Sequence, residues 1–345
     1  MKRLMIIVIC FGMFLAGTAR ADVAFSVSKG PYYGVGVPGS ALDNAWDTGT
    51  LPNTIYNSDL TGTNTVGLSG NDTGTSGTKD SEGIRPGQDV DAVHFGPSIS
   101  PSAIKMYYFS LDYNAGNSGI PYPEGSGTAL ARGTGTAPSN IYGSLANGTN
   151  FIAFPSSSLG IVPEQAGNVD AFNLSGFVDP TSYPAYFSLN LGGDTGIDFD
   201  EDGTIDITVN GADILYSAGE GTFTIYMPAS LLGLNDSDNL DALVRLSDGS
   251  WLFSVDYGST GLVDTAVYDA EGTGRRPANI YLSDGDGTNS LWLSSEALGL
   301  PSVLDWEYGW GVNLDALDVG VVPEPATIAL LGFGALSLLR RKRSV

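Results

Sequence analysis

The four-fold internal repeat of this chain constrains its fold more than any other feature. The string Asn-Leu-Asp-Ala-Leu occurs at 239–243 and again at 313–317, and looser copies occur at 89–93 and 168–172. The central aspartates of these copies are 79, 71 and 74 residues apart, and they are Asp91, Asp170, Asp241 and Asp315. Self-similarity at this spacing predicts four structural units of about 65 to 80 residues.

Further short motifs recur within the units, in a constant order. A Phe-Ser-aliphatic run occurs at 25–27, 109–111, 187–189 and 253–255. An Ile-Tyr or Ile-x-Tyr run follows at 55–56, 141–142, 214–216 and 280–281. A Gly-Thr pair then occurs at 62–63, 148–149, 221–222 and 287–288, and three units add a Leu-Gly-aliphatic step at 159–161, 232–234 and 298–300. Short β-prone runs bounded by Gly, Asp and Asn predict an all-β protein with about four strands in each unit.

Four strands per unit are typical of the blades of a β-propeller. The chain begins with the Phe-Ser strand and ends with the Asp-Ala strand, so the last strand could complete the first unit and close a ring. The units are long for blades, and four is the smallest common blade number. A pair of β-sandwiches and an open β-solenoid are the alternative folds.

The N-terminus has the three parts of a secretory signal peptide. Met1-Lys2-Arg3 is followed by an apolar run up to Leu15 and by small residues that include Ala19 and Ala21. This A-x-A site predicts cleavage after residue 21 and passage through Sec-type export machinery. The only cysteine is within the apolar run, which leaves the exported chain without a disulfide or a thiolate metal site.

The C-terminus combines a Pro-Glu-Pro sequence, an apolar segment and a basic cluster. Pro323, Glu324 and Pro325 precede the apolar residues 326–339, and the basic residues that follow are Arg340, Arg341, Lys342 and Arg343. An apolar segment before a basic cluster stops in a membrane with its basic end in the cytoplasm. The order of the three parts resembles the PEP-CTERM sorting signal of Gram-negative bacteria. The resemblance implies recognition by an exosortase, a membrane transpeptidase-like enzyme, followed by removal of the tail.

Three regions follow from these ends: a signal peptide at 1–21, a repeat-containing all-β domain at 22–320 and the sorting tail with its transmembrane segment at 321–345. Seven of the 15 basic residues lie in the two removable ends. Residues 22–325 therefore keep 8 basic and 38 acidic side chains, a net charge of −30. Such a surface repels nucleic acid and anionic lipid, and it attracts divalent cations. No nucleic-acid partner is expected.

An acidic loop in the third unit is the sharpest candidate site. Asp198, Asp200 and Asp202 occupy positions 1, 3 and 5 of a possible calcium loop, Gly203 occupies position 6, and Thr204 and Asp206 occupy positions 7 and 9. Position 12 is Val209 instead of the bidentate glutamate of an EF-hand, so a later acid such as Asp213 would have to substitute. Calcium is the favoured ligand, and an acidic hairpin turn is the alternative.

Other acidic motifs have simpler interpretations. Residues 284–287, Asp-Gly-Asp-Gly, are typical of a hairpin turn. The four repeated aspartates could face a central channel and hold a cation, although capping of a turn is the commoner role of such residues.

Catalytic motifs are scarce in this sequence. His94 is the only histidine, no G-x-S-x-G motif follows a strand, and the ligands for a zinc site are missing. The most concentrated aromatic segment is Trp-Glu-Tyr-Gly-Trp at 306–310, which is explained by packing as readily as by sugar stacking.

The favoured function is a non-enzymatic envelope or extracellular matrix protein, stabilised by calcium and associated with exopolysaccharide or biofilm. It would be tethered to the inner membrane during sorting and would then reside in the envelope, on the outer surface or outside the cell. The first alternative is a secreted carbohydrate-active hydrolase on a β-propeller, whose paired acids would come from distant strands. The second is an ice- or surface-adhesion protein, suggested by the Gly-Thr runs near 73–75 and 133–136.

Overall fold

The structure is a computed structural model of the 345-residue chain. It describes residues 23–27, 54–69, 90–95, 106–111, 137–147, 149–162, 168–174, 184–191, 195–200, 202–270, 276–300 and 313–319. Residues 23–318 form one compact unit. The signal-peptide site, the sorting tail, the aromatic segment 306–310 and the Gly-Thr runs near 73 and 133 lie outside the described residues.

The repeats fold into four antiparallel four-stranded sheets, which are the blades of a β-propeller, as the repeat predicted. Blade one consists, in sheet order, of β18 (Ala316–Val319), β1 (Val23–Ser26), β2 (Ile55–Ser58) and β3 (Asn64–Leu68). Blade two consists of β4 (Ala92–Phe95), β5 (Tyr107–Ser110), β6 (Ile141–Ser144) and β7 (Asn150–Phe154).

The other two blades follow the same antiparallel order. Blade three consists of β8 (Val169–Leu174), β9 (Ala185–Leu189), β12 (Ile214–Ser217) and β13 (Thr224–Met227). Blade four consists of β14 (Leu240–Arg245), β15 (Trp251–Val255), β16 (Ile280–Ser283) and β17 (Ser290–Leu293). A separate two-stranded hairpin joins β9 to β12, and it consists of β10 (Thr195–Ile197) and β11 (Ile207–Val209).

The ring closes through the last Asp-Ala strand, which is the closure that the phase of the repeat predicted. β18 joins the first blade beside β1, so the two ends of the propeller share one sheet. The backbone N–H of Asp315 donates to the carbonyl of Ser26 over 3.3 Å. This pairing gives β1 a partner on the side where it would otherwise be an open sheet edge.

In three of the four Phe-Ser motifs the serine links one blade to the next. Its hydroxyl donates to the backbone carbonyl that precedes the repeated aspartate of the following blade. These bonds join Ser26 to Val90 at 2.6 Å, Ser188 to Leu240 at 3.3 Å and Ser254 to Leu314 at 2.8 Å. The motif therefore recurs because a small buried hydroxyl at this position satisfies a carbonyl that would otherwise be unpaired.

The Gly-Thr turns of blades one, three and four each dock on the Leu-Gly step of the preceding blade. The turn N–H donates to the carbonyl of the residue just before that step in three contacts, which join Gly62 to Ala297 at 2.9 Å, Gly221 to Ser158 at 3.0 Å and Gly287 to Leu231 at 2.9 Å. The glycine of the Leu-Gly step has a left-handed backbone, as at Gly299 with φ +76°. A Cβ atom there would overlap the carbonyl of Gly62, so this position requires glycine.

Aromatic pairs fill the interior of the blades. The phenylalanine of the Phe-Ser motif lies against the tyrosine of the Ile-Tyr motif, with ring centroids 5.8 Å apart for Phe25 and Tyr56. The ring centroids of the equivalent pairs are 5.5 Å apart in blade two, for Phe109 and Tyr142, and 5.8 Å apart in blade four, for Phe253 and Tyr281. In blade three Leu215 takes the tyrosine position, opposite Phe187. The two motifs thus supply one buried hydrophobic pair in each blade.

A helix or turn follows the outer strand of blades two, three and four, and it is anchored by the residue that precedes the third strand of the same blade. The helix α1 (Ser156–Leu159) and a 3-10 helix at Ala229–Leu232 follow the outer strands β7 and β13, whereas α2 (Ala266–Asp269) and the 3-10 helices at Ala137–Ser139 and Arg276–Ala278 lie between second and third strands. The side chains of Asn140, Asp213 and Asn279 accept bonds from the backbone N–H groups of Ser156, Ala229 and Ser295, respectively, at 2.8–3.0 Å. Within the described residues no helix is long and apolar enough to cross a membrane.

Candidate metal centre

The acidic loop connects β10 to β11, and buried side chains hold this hairpin on the propeller. Ile197 and Val209, at the two ends of the loop-bearing strands, are at most 1% exposed. The ring of Phe199 packs edge-on against Phe223 with centroids 4.9 Å apart. The loop therefore projects from a hairpin that is fixed to the core of blade three.

Three carboxylates of the loop converge. One oxygen from each of Asp198, Asp200 and Asp206 lies within 4.8 Å of the other two. Asp198 is 7% exposed, whereas Asp200 and Asp206 are exposed to solvent. In the described part of the chain, this is the one group of three or more acidic, histidine or cysteine side chains that approaches so closely.

Backbone N–H groups orient these carboxylates. Asp198 accepts from Gly203 at 2.7 Å and from Asp202 at 3.2 Å, and Asp206 accepts from Phe199 at 2.8 Å. Gly203 has φ +88°, a left-handed conformation that lets the chain turn back over Asp198. The loop thus holds its carboxylates in place through its own backbone.

One predicted carboxylate ligand, Asp202, does not join this group, and neither does Asp213. The side chain of Asp202 accepts from the N–H of Thr204 at 2.8 Å, which closes a turn at the exposed tip of the loop. Asp213, the suggested substitute for the missing position 12, immediately precedes β12, and its carboxylate accepts from the backbone N–H groups of Asn210 and Ala229. The convergent set is therefore Asp198, Asp200 and Asp206.

The spacing of these oxygens suits a calcium ion. Calcium binds carboxylate and carbonyl oxygens at 2.3–2.6 Å, so two ligands on opposite sides of the ion are about 4.6–5.2 Å apart. Oxygens within 4.8 Å of one another can therefore share one ion. Three carboxylates leave coordination positions for water and for a loop carbonyl such as that of Thr204.

The repeated aspartates form a second buried polar group, at the inner edges of the blades. Asp91, Asp170, Asp241 and Asp315 are each 5–6% exposed. Asp170 and Asp241 lie within β8 and β14, so the turn-capping interpretation is wrong for these two residues. Both carboxylates accept a hydrogen bond from Asn239, which precedes Asp241 by two residues. The Asn-x-Asp spacing of the repeat was visible in the sequence, but this pairing was not predicted from it.

His94 is placed where it has little capacity for catalysis. It lies on β4, and its Nδ1 is 3.7 Å from a carboxylate oxygen of Asp318. Burial lowers the pKa of His94 to about 4, so the imidazole is neutral at pH 7. Asp318 in turn accepts a bond from the backbone N–H of Phe95. This arrangement secures β18 to β4 and explains the lone histidine structurally.

An arginine held between aromatic rings was not predicted from the sequence. The guanidinium of Arg245 is 5.1 Å from the ring centroid of Tyr186, 5.8 Å from that of Tyr226 and 5.7 Å from that of Trp251. It also donates to the hydroxyl of Tyr186 at 3.0 Å. Because Tyr186 belongs to blade three and Arg245 to blade four, these contacts join neighbouring blades.

The hairpin-turn interpretation of 284–287 is confirmed. The segment joins β16 to β17, and Gly285 and Gly287 both have left-handed backbones. The carboxylate of Asp286 accepts from the N–H of Thr288 at 3.0 Å and from its hydroxyl at 2.7 Å. These hydrogen bonds lower the pKa of Asp286, and they explain why an acidic residue occupies this position of the turn.

Comparison with known families identifies the C-terminal tail. Residues 321–343 match the family model of the PEP-CTERM protein-sorting motif. The match spans the Pro-Glu-Pro sequence and the basic cluster, as the resemblance implied. A search of curated proteins finds no match to this chain. The chain is thus an exported, exosortase-sorted protein whose main body is a four-bladed β-propeller.

Proposed function

We propose that this protein is a non-enzymatic component of the cell envelope or extracellular matrix, whose acidic loop binds calcium and whose propeller associates with anionic exopolysaccharide. The observation that carries the proposal is the convergence of Asp198, Asp200 and Asp206 within 4.8 Å on an anchored hairpin. The sorting motif supports an extracytoplasmic setting, in which calcium is available at the millimolar level suited to weak sites of this kind.

The charge of the exported chain supports a role for calcium in polymer binding. A body with 8 basic and 38 acidic residues repels an anionic polymer, unless a divalent cation lies between the two. Asp200 and Asp206 are exposed, so an ion bound there would present open coordination positions to a carboxylate of the polymer. Calcium would thus both stabilise the loop and bridge it to a polysaccharide.

Thermal unfolding of the exported protein tests the calcium site. A dissociation constant of about 10⁻⁴ to 10⁻³ M predicts a stabilisation of roughly 1.4–2.7 kcal/mol at 10 mM calcium. For a body of this size, that is a rise in Tm of about 2–4 °C. Asp200→Asn should remove the rise that comes from the loop. Asp248→Asn, which changes one exposed carboxylate in another turn, should keep it.

Polymer binding is tested with alginate immobilised on a sensor surface. The exported protein should bind in calcium, dissociate in a chelator and bind more weakly as the Asp200→Asn variant. Magnesium should substitute poorly, because it requires six closely spaced ligands in near-ideal geometry. Equal binding in calcium and chelator would refute the bridging role, and an unchanged Tm in calcium would refute the loop site itself.

A further inference from the structure

The aromatic cluster around Arg245 breaks the symmetry of the propeller. Arg245 is the fourth residue after the repeated aspartate of its strand, and the same position in the other three blades is occupied by Phe95, Leu174 and Val319. Three blades of the four therefore have an apolar residue where blade four has a guanidinium. The fold of the repeat does not by itself account for a basic side chain at this position.

Four aromatic rings form the rest of the cluster. Tyr186 lies at its centre, with ring centroids 5.3 Å from Tyr216, 4.8 Å from Tyr226 and 5.3 Å from Trp251. Tyr186 and Trp251 are buried. Tyr226 is 43% exposed and Tyr216 is partly exposed. The cluster thus has a buried base and an open side that consists of tyrosine rings.

The guanidinium of Arg245 has unused hydrogen-bonding capacity. Its Nη1 donates to the hydroxyl of Tyr186 at 3.0 Å, and its Nη2 donates to the hydroxyl of Tyr226 at 3.4 Å near the protein surface. The Nε atom is buried and has no acceptor. A guanidinium carries five N–H donors and a permanent charge, so two neutral phenol oxygens satisfy only part of it.

Arg245 also lacks a counterion. Within the described residues no carboxylate forms an ion pair with it, although the exported chain carries 38 acidic side chains. The surrounding rings exclude water from part of the guanidinium, and a partly desolvated charge without a counterion is costly. A carboxylate that approached Nη2 from the open side would form a charge-assisted hydrogen bond and offset this cost.

We propose that this cluster binds a uronate residue of an acidic polysaccharide, with the guanidinium of Arg245 on the sugar carboxylate and the exposed ring of Tyr226 against the sugar ring. Ligand sites combine aromatic walls with a few polar groups that fix orientation. A uronate presents a carboxylate beside a face of C–H groups, which matches a cation beside aromatic rings. An acidic peptide supplies the carboxylate without such a face.

The uronate site is independent of the acidic loop. It shares no residue with Asp198, Asp200 and Asp206 and requires no calcium, so it goes beyond the bridging proposed above. One sugar residue on one guanidinium is a weak contact, with a dissociation constant on the order of 1 mM. The uronate site alone would therefore not hold the protein on a polymer surface in a chelator, whereas in calcium the two contacts would reinforce each other on one polymer chain.

Titration of the exported protein with an alginate tetrasaccharide tests the site, with saturation-transfer NMR as the readout. The buffer is freed of divalent cations by a chelating resin, and about 0.15 M salt screens the net charge of the protein. Arg245→Leu introduces the residue that blade three has at this position, so the variant should fold. It should weaken binding about tenfold or more, because a hydrogen bond to a charged group is lost.

Two tyrosine variants form a matched pair. Tyr226→Ala removes the exposed ring and should weaken binding by a smaller factor than Arg245→Leu. Tyr268→Ala removes a ring that is 39% exposed on α2, outside the cluster, and should leave binding unchanged. Arg245→Lys keeps the charge but loses the planar fork, so it should retain part of the binding. Near-UV circular dichroism checks that each variant is folded.

The outcomes separate this site from its alternatives. Weaker binding in Arg245→Leu and Tyr226→Ala, with Tyr268→Ala unchanged, supports the uronate site. Wild-type affinity in a folded Arg245→Leu protein refutes it, and so does equal binding of a neutral cello-oligosaccharide. Equal binding of a short polyglutamate identifies an acidic peptide as the ligand and overturns the saccharide assignment. Because calcium is absent throughout, none of these results depends on the acidic loop, which the Tm measurement tests separately.

Discussion

The docking of the Leu-Gly step on the next blade makes Gly299 a sensitive position for ring closure. Its φ of +76° is strained for any residue with a side chain, at a cost of roughly 1–2 kcal/mol for alanine. In addition, the new Cβ would lie 2.9 Å from the carbonyl carbon of Gly62 and 2.9 Å from the amide nitrogen of Asn64. Such overpacking costs roughly 1–3 kcal/mol more. Gly299→Ala should therefore destabilise the propeller by about 2–5 kcal/mol.

Gly249 provides a control with the same strain but no close contact. It has φ +95° in the turn between β14 and β15, and no heavy atom lies within 4 Å of the position that its Cβ would occupy. Gly249→Ala should cost only the backbone term of roughly 1–2 kcal/mol. Differential scanning calorimetry should show a Tm decrease of about 3–8 °C for Gly299→Ala and of about 2–3 °C for Gly249→Ala. Equal decreases would refute the role of this glycine in joining blade four to blade one.

Three further perturbations test the ring and its pH response. Ser254→Ala should cost about 1–2 kcal/mol in urea unfolding, because it leaves the buried carbonyl of Leu314 unpaired, whereas Ser110→Ala, which removes a hydroxyl without a partner, should be nearly neutral. A chain ending at residue 312 lacks β18 and should lose its cooperative unfolding transition, whereas one ending at 320 should keep it, as seen by near-UV circular dichroism. An NMR titration of His94, the only histidine, should give a pKa of about 4. Because the pKa in the unfolded chain is about 6.5, the contribution of the buried neutral imidazole to stability is complete above pH 6.5 and falls as the pH decreases toward 4. A measured pKa near 6.5 would contradict the burial of His94.

The repeat predicted most of the fold because each motif serves one local purpose four times. The phase of the Asp-Ala strand predicted closure by β18, and the Gly-Thr and Leu-Gly motifs marked the turns. Their role in joining blades could not be predicted, because contacts such as Gly62 with Ala297 connect residues that are far apart in the sequence. The spacing 198–206 likewise predicted a convergent loop. It could not show that Asp202 turns toward Thr204, since that choice depends on backbone bonds within the folded loop.

The repeat also separates structural residues from those that are free to serve a function. Residues common to the blades, such as Ser254 and Gly299, form the contacts that hold the ring together, so their recurrence is explained by packing and hydrogen bonding. The acidic hairpin departs from this symmetry. It lies between the second and third strands of blade three, and the equivalent connection in blade four contains α2 instead. The hairpin is anchored to the core by Ile197 and Val209 and carries the convergent carboxylates outside the repeated pattern, and this is why we proposed calcium binding for the loop.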